Sequence, residues 1–326
     1  TLMPMMKEKG YDADYSVNVT VTAAIVGLLI PPSHNMIIYS AATGIGVSIG
    51  DLFLAGIVPG ALTAILLMFV SWIVAKNRGY VAGIFPGWRE FTKAVAFAIP
   101  GLMTAIIIMG GILSGIFTAT ESSAIAVIYT VIIGAFVYRT LGWKRFSQAA
   151  IQSVKITAMV LMIIGAATAF GYALAILEAP TKLADMITEI TRNPILVLLI
   201  VNVILLLLGT FMDMSPLIVI TTPIFLPVAT AFGVDPVHFG VILVLNLGIG
   251  LCTPPVGTVL FVGCAVGRIS VWDAIRTIWP FYGAAIFTLL LVTYIPSLSL
   301  WLPACRAACL CCCSPATRSP WKSCNW

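Results

Sequence analysis

The sequence predicts an all-α integral membrane protein, a multi-span helical bundle with inverted repeats, a re-entrant hairpin and two Pro-Pro broken helices. Hydrophobic residues make up 60% of its 326 residues and charged residues 9%, whereas soluble domains are about 45–50% apolar. The mean hydropathy is +1.09. Apolar runs of bilayer-spanning length, about 17–25 residues, recur along the chain. Two of these runs are interrupted by consecutive prolines, at Pro31-Pro32 and Pro254-Pro255.

The positive charges mark the topology of the chain. The formal net charge is +5, but the basic residues lie in short loops between spans rather than on one surface. Such loops are enriched on the cytoplasmic side of a membrane. This pattern predicts a multi-pass protein in a lipid bilayer and no nucleic-acid partner. The basic residues of these loops are Lys76, Arg78, Arg89, Lys93, Arg139, Lys144, Arg145, Arg268 and Arg276.

The first third of the chain reads as one broken span followed by one continuous span. Residues 17–29 and 35–47 are two apolar half-helices that flank the break at Ile30 to Ser33. Residues 52–75 then cross again. We assign residues 1–93 to the remainder of a first inverted repeat. Three further spans are expected at residues 95–117, 121–138 and 156–177.

The last third repeats this plan after a hairpin. Two apolar arms, at residues 195–208 and 217–232, flank an interruption at Gly209 to Pro216. Two full spans would require Asp213 in a tight cytoplasmic turn. Because the arms are short and the interruption lacks Lys and Arg, a re-entrant hairpin is favoured. A second broken span and a final span are expected at residues 239–266 and 278–300.

Matching residues relate the two halves. Pro31 and Pro254 lie 223 positions apart, and Gly27 and Gly250 share that offset. The topology predicts that the two halves are inverted, an arrangement typical of secondary transporters. We therefore assign residues 94–302 to the second inverted repeat.

The same register predicts what is unusual at the two ends. Thr1 corresponds to Ile224, so the partner of the hairpin is expected to be missing and the chain N-terminally truncated. Residues 303–326 hold six of the eight cysteines and lack hydrophobic periodicity. No Cys/His spacing in that tail fits a zinc site. We expect the tail to be aberrant or disordered.

The Pro-Pro breaks predict a cation site made of backbone oxygens. Proline has no N–H, so each break frees the carbonyls one turn earlier, those of Gly27 and Leu28 and those of Gly250 and Leu251. A free carbonyl at membrane depth needs a partner, and Na⁺, rather than a transition metal, suits oxygen ligands. Asp213 could complete the site or instead be an N-cap. The predicted cation-binding residues are Gly27, Ile30, Gly209, Thr210, Asp213, Ser215, Gly250 and Thr253.

The helix that restarts after each break predicts an anion site. Its N-terminus carries a partial positive charge that suits an anionic substrate. Asn246 precedes Gly250 by one turn, and its amide could face the broken backbone or bond another helix. The predicted substrate-binding residues are Pro31, Pro32, Ser33, Asn246, Pro254, Pro255, Val256 and Gly257.

Two other classes of function fit the sequence less well. An enzyme would need a nucleophile with a base, a metal cluster or paired carboxylates. The only two histidines, His34 and His238, lie near loops, so no such group is assembled and no catalytic residue is predicted. An ion or metabolite channel would need a continuous polar stripe, which the spans lack. The sequence therefore favours a transporter without a cofactor.

A set of motifs resembles the large membrane subunit of the tripartite ATP-independent periplasmic (TRAP) transporters. The resemblance covers residues 1 to about 302. The motifs are Ile-Pro-Pro-Ser (30–33), Ser-Ile-Gly-Asp-Leu-Phe-Leu-Ala-Gly-Ile-Val-Pro-Gly (48–60), Ser-Gly-Ile-Phe-Thr-Ala-Thr-Glu (114–121), Gly-Thr-Phe-Met-Asp-Met (209–214), Thr-Pro-Ile-Phe-Leu-Pro (222–227), Asp-Pro-Val-His-Phe-Gly-Val-Ile (235–242) and Asn-Leu-Gly-Ile-Gly-Leu-Cys-Thr-Pro-Pro-Val-Gly (246–257).

The resemblance implies a Na⁺-driven importer of organic acid anions in the bacterial inner membrane. C4-dicarboxylates, sialic acids and sugar acids are all substrates that it allows. It implies two partners, a periplasmic binding protein that delivers the substrate and a small membrane subunit, and an elevator mechanism. The family's first hairpin, with its glycine-serine-serine tip, would lie before Thr1, and the cysteine-rich tail has no family counterpart. A nonfunctional truncated copy of the permease is therefore an alternative.

Overall fold

The computed structural model describes residues 2–80, 87–177, 182, 193–254 and 257–313. All the regular secondary structure in these residues is helical. Seven helices are long and apolar enough to cross a membrane, or eight spans if one bent pair counts as a single span. The helices are α1 (Leu2–Glu8), α2 (Ala13–Leu29), α3 (His34–Ala42), α4 (Ile49–Asn77), α5 (Trp88–Leu113), α6 (Ala119–Ile132), α7 (Trp143–Ile176), α8 (Pro194–Phe211), α9 (Met214–Ala231), α10 (Pro236–Cys252), α11 (Thr258–Gly267), α12 (Val271–Tyr294) and α13 (Ser297–Cys313).

The first broken span forms where the sequence predicts it. Helices α2 and α3 meet at an angle of 49° across the first break, Ile30 to Ser33. Helix α2 starts before the predicted residue 17, and α3 ends before the predicted residue 47. Helix α4 then begins at Ile49, after the N-cap residue Ser48, whose hydroxyl accepts a hydrogen bond from the Asp51 N–H.

The middle helices α5 to α7 lie mostly exposed along the outside of the bundle. A capping box between Thr118 and Glu121 starts α6, and a π-helical turn, Ile133–Val137, ends it. Helix α7 is longer than the predicted span and includes a polar first part. The predicted boundary between the two repeats, at residues 93 and 94, falls inside α5.

Helices α8 and α9 form a hairpin. Asn202 of α8 bonds Asn246 of α10, and further along both helices Gly209 contacts Gly250, so α8 and α10 run parallel. A short loop joins the end of α9 to the start of α10, which makes α9 antiparallel to both. Each arm has 18 residues and is apolar enough to cross a membrane, so the premise that the arms are short is wrong. That the hairpin is re-entrant stays a prediction.

Helix α10 is the centre of the bundle. Every residue from His238 to Cys252 is buried, and α2, α8, α9 and α12 pack around it. Leu28 of α2 lies beside Gly248, whereas the Val21 carbonyl accepts a hydrogen bond from the Cys252 thiol. The two broken spans therefore pair in antiparallel fashion, as inverted halves require.

The last helix extends into the segment expected to be disordered. Helix α13 continues through residues 303–313, which differs from the expectation that the fold ends at residue 302. The Arg306 guanidinium bonds the Asp51 carboxylate near the start of α4 at 3.3 Å. Gly50 leaves room for this contact, because a Cβ there would lie 2.7 Å from the guanidinium. Residues 314–326 lie outside the described part of the chain.

Candidate cation and substrate site

The tip of the hairpin, Gly209 to Ser215, meets the second broken helix backbone to backbone. A Cβ built on Gly250 would lie 2.8 Å from the Cα and from the carbonyl carbon of Gly209. A Cβ built on Gly209 would lie 3.3 Å from the Gly250 Cα. Ordinary contacts between carbon atoms are about 3.5–4.0 Å. Two glycines are therefore what allows the tip to lie against α10, and both were predicted to bind the cation.

The second break, residues 253–257, uses its carbonyls differently from the prediction. The Thr253 N–H donates to the Gly250 carbonyl at 2.9 Å, so the prediction that the Gly250 carbonyl is free is wrong. A carbonyl oxygen has two lone pairs, and one is left for a cation. The Thr253 hydroxyl donates to the Ile249 carbonyl at 2.8 Å, which leaves that hydroxyl oxygen able to accept.

Two further carbonyls converge beside Gly257. A Cβ on Gly257 would lie 2.7 Å from the Thr253 oxygen and 3.0 Å from the Leu251 oxygen. On another side of the break, the Tyr282 hydroxyl of α12 donates to the Cys252 carbonyl. Sequence reasoning missed Tyr282, because nothing in a lone tyrosine inside an apolar span points to a carbonyl on another helix. The predicted residues Pro255 and Val256 lie outside the described residues, and Pro254 is the last residue described before them.

The first break contributes buried oxygen atoms. Ser33 is buried, and its Oγ has no hydrogen-bond partner among the described residues. Pro31 and Pro32, which precede it, are joined by a cis peptide bond. Ile30 is 44% exposed, and a Cβ on Gly27 would meet no atom of the described residues within 4 Å. Among those residues Gly27 makes no close backbone contact, unlike its counterpart Gly250.

Asn35 links the first break to the hairpin tip. Its amide nitrogen lies 3.2 Å from the Met214 sulfur, and the side chain is buried. Its Oδ1 has no partner within the described part of the chain. Sequence reasoning missed Asn35, although a polar residue just after a Pro-Pro break could have identified it. The tip thus lies between α10 on one side and α3 on the other.

The polar residues of the tip differ in burial. Asp213 is exposed at the N-cap position of α9 and makes no side-chain capping bond, so the alternative capping role is wrong. Thr210 is buried, and its hydroxyl donates to the Leu207 carbonyl at 2.7 Å. Ser215 is half-buried. The Asp213 carboxylate makes no hydrogen bond or ion pair with the described residues.

The Asn246 amide nitrogen bonds another helix. It donates to the carbonyl and to the Oδ1 of Asn202, both at 2.9 Å. The helix-to-helix alternative is therefore the one that the structure shows for this nitrogen. The Asn246 Oδ1 is buried without a hydrogen-bond partner among the described residues, and the substrate role of Asn246 stays a prediction. Across the described residues, no three His, Cys, Asp or Glu side chains come together as a metal site.

Comparison with known proteins identifies the family. Residues 1–298 match the sequence model of the tripartite ATP-independent periplasmic transporter, DctM component. The chain belongs to this family. As a member of the TRAP family it is a multi-span permease and not an enzyme, and its helical fold agrees with that assignment.

Three relatives in the TRAP family are similar to this chain over most of its length. Protein YgiK of Salmonella typhimurium, described as uncharacterized, is 43% identical over 302 residues, which is 93% of this chain and 69% of YgiK. The C4-dicarboxylate TRAP transporter large permease protein DctM of Pseudomonas aeruginosa is 40% identical over 298 residues, 91% of this chain and 69% of DctM. The sialic acid TRAP transporter large permease protein SiaM of Vibrio cholerae is 39% identical, with the same coverage of both chains.

Proposed function

We propose that this chain is the large permease subunit of a Na⁺-coupled tripartite secondary transporter in a bacterial inner membrane. It imports organic acid anions that a periplasmic binding protein delivers, and a small membrane subunit is its second partner. Family membership supports this assignment. The substrate class is supported by relatives whose names give a C4-dicarboxylate and sialic acid, since both are carboxylates.

The observation that carries the cation site is the contact between Gly209 and Gly250. It brings the hairpin tip to the end of α10, where Pro254 and Pro255 lack the N–H groups that would donate to the last carbonyls of the helix. Unwound carbonyls at the midplane are the usual Na⁺ ligands of such transporters. Ser33 and Asn35 add buried oxygens that have no partner among the described residues, on the α3 side of the tip. Asp213 supplies the negative charge that offsets the charge of the ion.

The anionic substrate binds beside the cation in this proposal. Helices α3 and α11 both restart after a break, at His34 and at Thr258. Their first N–H groups have no partner within the helix and favour negative charge. A bound Na⁺ would strengthen this preference, because an adjacent positive charge attracts a carboxylate. Binding of Na⁺ and substrate at neighbouring positions would couple the two.

The moving unit of the elevator comprises the helices that pack on the site. These are α2, α3 and α8 to α12, which contact one another around α10. Helices α5 and α6 lie outside this group and are largely exposed. We infer that the first group carries the site across the membrane while other helices stay fixed.

Uptake into proteoliposomes tests the proposal. The permease is reconstituted with its small subunit and its binding protein, and the initial rate is measured against the Na⁺ concentration. Loss of a charged ligand costs about 1.5–3 kcal/mol, so Asp213→Asn should raise the KM for Na⁺ about tenfold or more.

Asp235→Asn is the matched control. Asp235 caps α10, accepting from the Val237 and His238 N–H groups, and asparagine caps a helix about as well as aspartate. Its Na⁺ dependence should equal that of the wild type. Uptake that needs no Na⁺ gradient, or an Asp213→Asn variant with wild-type Na⁺ dependence, would contradict the cation site.

A further inference from the structure

Helices α8 and α10 each carry a single polar side chain near the middle of an aliphatic surface. In α8, Asn202 is the only polar residue before Gly209 and Thr210. In α10, Asn246 is the only amide, with no other polar side chain between His238 and Cys252. Within a bilayer, lipid tails are as apolar as leucine, so aliphatic packing gives two such helices little preference for one register. Any fixed register between them must come from other contacts.

The two asparagines meet, and a third helix holds them. The Asn246 amide nitrogen lies 2.9 Å from both the carbonyl and the Oδ1 of Asn202. The Asn202 amide nitrogen donates in turn to the Thr293 hydroxyl of α12 at 3.0 Å. All three residues are buried. We call Asn202, Asn246 and Thr293 the amide clamp.

The amide clamp lies close to the contact that defines the cation site. Asn202 precedes Gly209 by about two turns, and Asn246 precedes Gly250 by one turn. A slide of α8 by one residue would move the tip by about 1.5 Å. That displacement would break both amide bonds and would also separate or overlap the two glycines, whose backbones already touch.

We propose that the amide clamp is a positioning device that sets the depth at which the hairpin tip meets α10, and through it the affinity for Na⁺. Asn202, Asn246 and Thr293 touch neither ion nor substrate in this proposal. The link to Na⁺ rests on the proposed function, whereas the register itself does not. Single buried amides that specify register are a recognised use of polar residues in apolar helix pairs.

A combined substitution separates register from stability. Asn202→Leu, Asn246→Leu and Thr293→Val together remove all three members of the amide clamp, and replacing every partner of a buried hydrogen bond by apolar groups can be nearly neutral for stability. This clamp variant should therefore fold without a fixed register. Thr221→Val with Thr222→Val is the matched control, because within the described part of the chain these buried hydroxyls of α9 bond only carbonyls of their own helix.

Two readouts decide the outcome. The first is the distance between two spin labels, measured by electron paramagnetic resonance, which reports the position of the hairpin arm. The labels are attached at Leu207→Cys in α8 and Phe287→Cys in α12, both exposed positions, and Cys305 and the later cysteines are replaced by serine. The rise in the unfolding temperature with NaCl, compared with KCl, reports Na⁺ affinity. We expect the clamp variant to broaden or shift the label distance and to weaken Na⁺ affinity at least tenfold, with no change in the control.

The possible failures are distinguishable. If NaCl has no specific effect on the wild type, the proposed Na⁺ coupling fails, and the label distance alone then tests the clamp. A label distance that the clamp variant leaves unchanged overturns the clamp whatever the Na⁺ result. A changed distance with wild-type Na⁺ affinity, in a protein that responds to Na⁺, overturns the claim that the register sets that affinity.

Discussion

Adding one methyl group at Gly250 should disable the cation site while leaving the helices intact. In Gly250→Ala the new Cβ would lie 2.8 Å from two backbone atoms of Gly209, its Cα and its carbonyl carbon. No side chain can rotate away to relieve this overlap, because both atoms belong to the backbone. The tip must therefore retreat from α10 until the carbon atoms reach an ordinary separation of about 3.5–4.0 Å.

The displacement is about 1 Å, the difference between the overlap and an ordinary contact. Overpacking of this kind costs about 1–3 kcal/mol. Misplacement by 1 Å of groups that act together can cost about a hundredfold in activity. We therefore expect Na⁺ affinity to fall by between about tenfold and a hundredfold. The free energy of unfolding should fall by only about 1 kcal/mol, the lower end of the cost of overpacking, because the tip is exposed at Phe211 to Asp213 and can move.

The assay is the NaCl-dependent rise in the unfolding temperature of the purified permease, followed by Na⁺-dependent uptake. Gly110→Ala in α5 is the matched control, because its Cβ would meet no atom of the described residues within 4 Å. Alanine in place of a helical glycine stabilises a helix by up to about 1 kcal/mol, so this control should unfold no earlier than the wild type. A Gly250→Ala protein with wild-type Na⁺ affinity would refute the close contact between the tip and α10.

Two other substitutions test contacts that hold the bundle around the site. Tyr282→Phe removes the hydroxyl that donates to the Cys252 carbonyl. Because a buried acceptor then loses its partner, the free energy of unfolding should fall by about 1–3 kcal/mol in thermal unfolding. An unchanged unfolding temperature would contradict that bond. Arg78→Gln removes the ion pairs that join the end of α4 to the start of α2. Because the pairs are partly exposed, the free energy of unfolding should fall by no more than about 1 kcal/mol, and the difference should shrink as salt is added. A larger loss of stability that salt does not change would argue against ion pairs screened by solvent.

The broken spans follow directly from the local chemistry of the chain. Proline lacks an N–H, so consecutive prolines end α2 and α10 whatever these helices pack against. Apolar runs located the spans, and α4 and α6 each start after a hydroxyl residue that caps the helix, Ser48 and Thr118. The motif set was equally local, and the family assignment confirmed the resemblance that those motifs predicted.

The partners of the site residues were decided only by the tertiary structure. Two asparagines in separate apolar helices have no sequence spacing that predicts their bond, so the role of Asn246 depended on where Asn202 lies. The exposure of Asp213 likewise depended on how the hairpin packs.

At the Gly250 carbonyl, the hydrogen-bond partner that is lost was determined by the sequence and the one that replaces it by the tertiary structure. The sequence determined which N–H it loses, because Pro254 follows at a fixed distance along the helix. Only the folded backbone decided that the Thr253 N–H replaces it and that Gly209 lies against the same residue. An effect that depends on sequence neighbours, such as the N–H that a proline removes, can be predicted from the order of the residues alone. A contact between helices depends on their relative depth and rotation, which no single stretch of this chain specifies.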